Sequence, residues 1–250
     1  MVPNFFLLIL VGFVAQMIDG ALGMAYGVSS TTFLLTLGFP AATASASVHM
    51  AEVCTTAVSG LSHFRLGNID RSLVKKLIIP GVLGGATGAY LLTQAPGDLI
   101  KPLVSAYLLI MGMVILRKAL VKAPEPRQVT DHIVPLGLVG GFFDAIGGGG
   151  WGPIVTTTLV ARGNDPRCTI GSVNFTEFFV TFTQSITFIL TIGLTHWQTI
   201  LGLLIGGVIA APLAAVVAKR VPARGLMIMV GIIIILLSIR TIVQSISAFA

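Results

Sequence analysis

Phe-Val-Ala-Gln-Met-Ile-Asp-Gly-Ala-Leu-Gly-Met-Ala-Tyr-Gly, residues 13–27, returns as Leu-Val-Gly-Gly-Phe-Phe-Asp-Ala-Ile-Gly-Gly-Gly-Gly-Trp-Gly, residues 138–152. In both stretches an aspartate, Asp19 or Asp144, stands inside apolar sequence and is followed by glycines and an aromatic residue. A lipid bilayer accepts a buried carboxylate or an interrupted helix only where protein or a water-filled cavity receives it. The duplication therefore predicts an all-α polytopic membrane protein with a site built on two repeats, an arrangement typical of transporters.

The composition indicates a chain that lies almost entirely in a membrane. Apolar residues make up 55% and charged residues 10% of the 250 residues, and the mean hydropathy is +0.97. A soluble domain carries about 25% charged residues. Apolar runs long enough to span a bilayer follow one another with short connections, which leaves no room for a soluble domain. Because the basic residues behind the net charge of +6 cluster in those connections, the charge does not indicate nucleic-acid binding.

The similarity between the two halves extends beyond the aspartates. At an offset of 125 residues, Gly38 matches Gly163 in the same register as the aspartates. Chance similarity between apolar segments does not readily supply matched carboxylates and glycines. We therefore predict a first transmembrane repeat over residues 1–119, a cytoplasmic linker over 120–131 and a second transmembrane repeat over 132–250. Further matched pairs are Glu52 with Glu177 and, after one inserted residue, Gly67 with Gly193.

The basic residues predict how each half crosses the membrane. Each half contains four apolar blocks, and the first, at about 30 residues, is too long for one span and holds the glycine-rich break at its centre. If all blocks crossed once, the basic residues would divide almost evenly between the two sides. If each first block instead forms a hairpin of two half-helices, all of the 15 basic residues except Lys101 and Arg240 face the cytoplasm, as the positive-inside rule favours. Three further crossings in each half then make the two repeats inverted relative to each other.

The two breaks offer backbone groups to a ligand. A half-helix that starts at a break presents unpaired N–H groups and the positive end of its dipole, which attract anions. Glycines let the backbone approach a ligand closely. The alternative is that the glycines only allow close helix packing, and a packing seam would be duplicated as well. On the first interpretation the substrate-binding residues are Gly23, Tyr26 and Gly27 of one break and Gly148, Gly149, Gly150, Trp151 and Gly152 of the other.

Ionisable residues in the apolar blocks are candidates for proton coupling or gating. Glu52 and Glu177 are the first candidates, because an apolar cavity favours the neutral form of a carboxyl group and so allows it to exchange protons. The alternative for each is a protonated glutamate bonded to a backbone carbonyl. Asp19 and Asp144 are assigned to the same group, although each could instead cap the half-helix that follows its break.

A polar stripe surrounds each glutamate. The side chains recur at spacings of three and four residues, which places them on one face of a helix. His49 and its counterpart Asn174 can both donate a hydrogen bond to an oxyanion, although a structural role for His49 fits equally well. The stripe comprises Ser45, His49, Glu52, Thr56 and Ser59 in the first half and Asn174, Glu177, Thr181 and Gln184 in the second.

The motifs resemble those of a known family. Phe-Phe-Asp-Ala-Ile-Gly-Gly-Gly-Gly-Trp-Gly-Pro at 142–153 and its divergent first-half copy, each followed by Ser-Val-x-x-x-Glu at 172–177 and 47–52, are similar to the TauE/SafE family of sulfite exporters and toluenesulfonate-uptake permeases. The resemblance covers essentially the whole chain. It implies a secondary transporter of small sulfur-containing anions, such as sulfite, sulfoacetate or taurine-related compounds, in the inner membrane of a bacterial or archaeal cell. Family members are linked to both export and uptake.

The residues themselves leave the cargo open. The predicted membrane interior contains four acidic residues and, apart from Arg240, no lysine or arginine, which by itself suggests proton or cation transport. We expect the anion to be held by the half-helix N-termini with Ser47, Ser172, Asn174 and His49, while protons on the glutamates offset its charge. An anion channel and a carrier of another small anion are the alternatives. No nucleophile–base pair or metal-ligand set is evident, so we predict no enzyme activity, metal or cofactor; a homodimer is one of the assemblies that the sequence allows.

Overall fold

The computed structural model describes residues 4–22, 24–121, 131–194, 196–217 and 223–247. Every regular element within these ranges is a helix, as the all-α prediction requires. The helices are α1 (Phe5–Leu22), α2 (Tyr26–Thr36), α3 (Ala41–Arg65), α4 (Arg71–Gln94), α5 (Gly97–Leu120), α6 (Ile133–Gly147), α7 (Thr157–Ala161), which continues a π-helical segment (Gly152–Thr156), α8 (Pro166–Ile192), α9 (Trp197–Val217) and α10 (Ala223–Ser247).

The predicted interruption of each first block is confirmed. In the first half α1 ends at Leu22, and α2 begins at Tyr26. In the second half α6 ends at Gly147, and the helix resumes at Trp151. The predicted linker, 120–131, lies largely outside the described residues.

Four helices are long and apolar enough to span a membrane. They are Arg71–Gln94, Leu99–Leu120, Pro166–Ile192 and Met227–Ser247. Phe5–Asp19, Ile133–Gly147, Gly152–Ala161 and Trp197–Ala210 are shorter apolar helices. The helix α3 has the length of a span at 25 residues, but its polar stripe lowers its hydropathy. The chain is thus a multi-pass membrane protein whose most polar long helix carries Glu52.

The two halves pack against each other in reciprocal pairs. The helix α1 makes its most extensive contacts with α9, and its counterpart α6 makes them with α4, the counterpart of α9. The counterparts α5 and α10 pack together, and so do α3 and α8. Exchange of the two halves leaves this pattern unchanged, as a two-fold relation between repeats requires. The inversion of the repeats across the membrane stays a prediction.

Duplicated glycines occupy matching turns. Gly38 and Gly163 end the first block of their halves with φ angles of 94° and 97°. Gly67 and Gly193 follow the second block with φ angles of 70° and 73°. Side chains disfavour this left-handed region, so each glycine permits a turn that other residues would strain. The repeat seen in the sequence is therefore a repeat of backbone conformation.

Glycines also bring the paired helices into close contact. A Cβ atom at Gly12 of α1 would collide with the backbone of Leu203 in α9. A Cβ atom at Gly84 of α4 would likewise collide with the carbonyl oxygen of Leu138 in α6. Small residues allow this approach between membrane helices, where dispersion contacts replace the hydrophobic effect as the source of association. These two crossings hold the broken helices α1 and α6 in place.

Candidate functional site

A cavity of about 350 Å³ lies where the two breaks meet. Its wall combines both breaks with the polar faces of α3 and α8. Among the described residues, the side chains that line it include three carboxyl groups and no lysine or arginine. The lining residues are Gln16, Asp19, Met24, Ala25, Tyr26, Gly27, Val28, Glu52, Thr55, Thr56, Ser59, His63, Gly149, Gly150, Gly152, Pro153, Ile170, Asn174 and Glu177.

The first break is closed by Asp19. Its Oδ1 accepts a hydrogen bond of 3.2 Å from the backbone N–H of Tyr26, the first residue of α2. Ala25 precedes that helix with a φ of 93°, a left-handed conformation that is strained for alanine. The Tyr26 hydroxyl donates to the carbonyl of Leu203 in α9 at 3.2 Å. Asp19 therefore caps α2 and, at the same time, lines the cavity.

At the second break Asp144 caps the following half-helix with more hydrogen bonds than Asp19 makes at the first. Oδ1 of Asp144 accepts hydrogen bonds from the backbone N–H groups of Gly150 at 2.7 Å and Trp151 at 2.8 Å. The indole N–H of Trp151 donates to the carbonyl of Val173 in α8 at 3.1 Å. Each aromatic residue thus ties its half-helix to a neighbouring long helix. Both aspartates have the geometry of caps.

The two breaks touch each other through backbone. A Cβ atom at Gly27 would lie 2.6 Å from the Cα of Gly149 and 2.8 Å from the carbonyl oxygen of Gly148. The Thr31 hydroxyl of α2 donates to that carbonyl at 2.6 Å. Tyr107 of α5 donates to the Gly149 carbonyl at 3.3 Å. The glycines therefore serve close packing and also place backbone at the cavity wall.

Glu52 of α3 and Glu177 of α8 both line the cavity. They lie close enough for their charges to repel each other. Glu52 is 5% exposed, and its Oε2 has no hydrogen-bond partner within the described part of the chain. The backbone N–H of Gly27 is directed at its carboxyl group. Glu52 therefore occupies the position at the start of α2 where an anion would be attracted.

One end of the cavity leads along the helices to partly exposed residues. Ser59 and His63, near the end of α3, and Asn174, near the start of α8, line this end. All three are partly exposed. The side-chain amide of Asn174 donates to the Ser59 hydroxyl at 3.1 Å, which joins the two helices. Basic residues flank the same helix ends in sequence.

The opposite side of the breaks is closed by a buried polar network. His49 is fully buried, and its Nδ1 lies 2.8 Å from the backbone oxygen of Ser45. A carbonyl oxygen only accepts, so Nδ1 carries a hydrogen. The other ring nitrogen lies 3.2 Å from Oδ2 of Asp144. Gln184 donates to the same Oδ2 at 2.9 Å, and Phe188 packs beside the imidazole with ring centroids 6.1 Å apart.

The structure brings most of the sequence-predicted residues to the cavity and places the others behind its wall. Ser172 accepts a hydrogen bond from the backbone of Asp70 at 2.8 Å and anchors the loop between α3 and α4. Ser47 lies in a small separate pocket with Thr43 and Met50. Gly23 lies outside the described residues. The predicted residues that line the cavity are Asp19, Tyr26, Gly27, Glu52, Gly149, Gly150, Gly152, Asn174 and Glu177; Ser47, His49, Asp144, Gly148, Trp151 and Ser172 do not line it.

Some residues that line the cavity were not predicted from the sequence. Gln16 lines the cavity three residues before Asp19, and this helical spacing in apolar sequence could have revealed it. Thr55 and His63 border the polar stripe of α3. Tyr107 contacts the Gly149 carbonyl without lining the cavity, and it sits in an apolar helix with no pattern to single it out. Within the described ranges no group of His, Cys, Asp and Glu is arranged to hold a metal ion.

A polytopic helical protein with a polar cavity at two half-helix breaks has the architecture of a membrane transporter. Comparison with known proteins supports the same class of protein. The chain matches the family described as "Sulfite exporter TauE/SafE" over residues 8–241 and belongs to that family. It is similar to the "Probable membrane transporter protein YtnM" of Bacillus subtilis (strain 168), with 42% identity over 244 residues, which cover 94% of this chain and 81% of that protein. No solved structure matches the chain.

Proposed function

We propose that this protein is a secondary transporter that carries small sulfur-containing anions, such as sulfite or organosulfonates, across the inner membrane of a bacterial or archaeal cell. Transport is coupled to protons and proceeds by alternating access. The observation that carries the proposal is the cavity at the two breaks, which both Glu52 and Glu177 line. Membership of a family described as sulfite exporters supports the choice of cargo.

The size of the cavity suits a small anion with water. About 350 Å³ is near the lower end of the range of small-molecule sites. A water molecule takes about 30 Å³ of liquid, so a sulfite or a short sulfonate fills part of the space and leaves room for several waters. Hydrogen-bond donors for the anion are the backbone N–H of Gly27, the second hydrogen of the Asn174 amide and the Ser59 hydroxyl.

Protonation of Glu52 links the anion to the proton. An ionised Glu52 competes with the substrate for the N–H of Gly27 at the start of α2. A proton on Glu52 weakens that contact and removes the repulsion from the incoming anion. A proton on Glu177 likewise removes its repulsion from the incoming anion. The two glutamates therefore couple proton binding to anion binding in one site.

The two ends of the site differ in a way that supports alternating access. The end near Ser59 and His63 is partly exposed, whereas the network of His49, Asp144 and Gln184 fills the other end. If the basic loops are cytoplasmic, as the positive-inside rule favours, the structure is the state that opens to the cytoplasm. Rocking of one repeat against the other then separates this network and closes the end near Asn174.

The test is uptake of sulfite into proteoliposomes under an imposed pH gradient. Each coupled proton contributes about a tenfold accumulation per pH unit, because one unit is 1.36 kcal/mol. Glu52→Gln and Glu177→Gln keep the shape of the side chain and remove its titration, so uphill uptake should collapse while downhill exchange persists. Ser59→Ala is the matched control, because it alters the same cavity without removing a titratable group, and it should retain uphill uptake. Unchanged pH dependence in both glutamine variants would exclude the coupling role.

Two further measurements separate the alternatives. Flux that is only downhill and does not saturate with sulfite would identify an anion channel. Ligand binding to the folded state raises its apparent stability, so thermal shifts with sulfite, sulfate, thiosulfate and sulfonates rank the candidate anions. If only an anion without sulfur stabilised the protein, the assignment of sulfur-containing substrates would be wrong, and the assignment as a transporter would remain.

A further inference from the structure

Lys118 lies against the wall of the cavity and has no carboxylate partner within the described part of the chain. Its Nζ is 3.5 Å from the sulfur of Met24, and Met24 lines the cavity at the first break. The Thr157 hydroxyl approaches the same sulfur at 4.0 Å. Within the described part of the chain, no carboxylate oxygen lies within 4.0 Å of this ammonium group.

The environment of Lys118 is incomplete for an ammonium group. Its side chain is partly buried near the end of α5. A thioether is a weak acceptor and does not replace the water that the ammonium group gives up. Burial of a charge is unfavourable unless a partner compensates it. An anion placed at the cavity wall would supply that partner.

A role that only marks the cytoplasmic side of the membrane accounts for Arg117 better than for Lys118. Arg117 is exposed at the same end of α5, where a basic residue marks the cytoplasmic side or meets lipid phosphates. Lys118 instead turns its ammonium group to the break between α1 and α2. Met24 separates it from the cavity, and the unbranched, flexible methionine side chain can move aside.

We propose that Lys118 is a binding residue for the anionic group of the substrate, an oxyanion of the sulfite or sulfonate type, which it reaches past Met24. The inference rests on the proposed function and supplies the cation that the cavity lining lacks among the described residues. The lysine stem is flexible enough to bring a point charge to the oxyanion. Lys118 thereby offsets part of the repulsion from the cavity carboxyl groups.

The test compares sulfite transport by Lys118→Gln, Lys118→Arg and Arg117→Gln in proteoliposomes. A charged hydrogen bond in a partly buried site corresponds to a change of about tenfold or more in affinity. Lys118→Gln should raise the KM for sulfite by about this factor and change kcat much less. Lys118→Arg should retain most of the affinity, and Arg117→Gln, which removes the same charge one residue away, should leave the KM within about twofold.

The outcomes separate this inference from the function on which it rests. Equal KM values for Lys118→Gln, Arg117→Gln and the unaltered protein overturn the role of Lys118 and leave the transporter intact. Absence of saturable sulfite or sulfonate flux in the unaltered protein overturns the proposed function itself.

A second measurement needs no variant and applies if Lys118→Gln does not fold. Sulfoacetate should slow the modification of Lys118 by an amine-acylating reagent in the unaltered protein. The exposed Lys76 serves as the internal control, and both rates are read by mass spectrometry. Equal rates at Lys118 with and without sulfoacetate contradict the assignment.

Discussion

Replacement of Asp144 by asparagine is expected to destabilise the protein far more than the same replacement at Asp19. Oδ1 of Asp144 accepts the two backbone N–H groups of the second break, and asparagine can keep these with its own oxygen. Oδ2 faces the ring nitrogen of His49 at 3.2 Å and the amide nitrogen of Gln184 at 2.9 Å. In the variant an NH₂ group replaces this oxygen and meets other donors. The buried pair with His49 is lost as well.

The expected magnitudes follow from these contacts. Loss of the oxygen that the two buried nitrogens face costs about 1–3 kcal/mol for each of them, and Asp144 is 1% exposed. The carboxyl of Asp19 accepts a hydrogen bond of 3.2 Å from Tyr26 and borders the cavity. Asparagine caps helices about as well as aspartate does. We therefore expect Asp19→Asn to change the free energy of unfolding by less than about 1 kcal/mol.

Thermal unfolding of the two purified variants in detergent is the assay. For a chain of this length each kcal/mol shifts Tm by about 2–4 °C, so Asp144→Asn should lower Tm by roughly 10 °C. The loss from His49→Ala should overlap with that of Asp144→Asn in the double variant, because both remove one interaction. Equal losses for Asp19→Asn and Asp144→Asn would refute the stabilising contribution of the contacts that Asp144 makes with His49 and Gln184.

Three further substitutions probe the second break. Gly149 has a φ of 146°, and a Cβ atom there would collide with the facing backbone, so Gly149→Ala should yield little monodisperse protein by size exclusion. Gly38→Ala is the control, because a Cβ atom at Gly38 meets no atom of the described residues within 4 Å. This variant should purify normally with about 1 kcal/mol of strain. Trp151→Phe should lower the free energy of unfolding by about 1–3 kcal/mol, because the carbonyl of Val173 loses a buried donor. Tyr107→Phe keeps the ring and removes one bond of 3.3 Å; its loss should be about 1 kcal/mol, measured by the same unfolding assay.

The helices and their breaks could be predicted because single residues determine them. Glycines next to an aspartate in apolar sequence predicted an interruption after Asp19 and after Asp144, and both interruptions are present. The partner of each helix could not be predicted in this way. The contact of α1 with α9 depends on glycines such as Gly12 and Gly206, which lie almost 200 residues apart and whose positions in the sequence do not reveal the contact.

The polar stripe of α3 was predicted as one face, but it serves two regions. An α-helix rises about 1.5 Å per residue, so His49 and His63 lie about 20 Å apart along the axis. The part near Glu52 and Ser59 lines the cavity. The part near His49 is sealed by Asp144 from the other repeat. Helical periodicity gives the direction of side chains around the axis, and it carries no information on where along the axis a cavity ends.

The carboxyl groups of the cavity place a condition on any anion that binds there. Like charges about 5 Å apart repel by about 3 kcal/mol at an effective dielectric constant of 20. Two ionised glutamates would therefore weaken anion binding by roughly four to five orders of magnitude, and protons on Glu52 and Glu177 remove this repulsion. Because linkage is reciprocal, bound anion strengthens proton binding by the same factor. Under the proposed function, coupling thus follows from the composition of the site. Sulfite affinity of the unaltered protein should fall as rising pH ionises the two glutamates, whereas the double variant Glu52→Gln/Glu177→Gln should lose this part of the pH dependence.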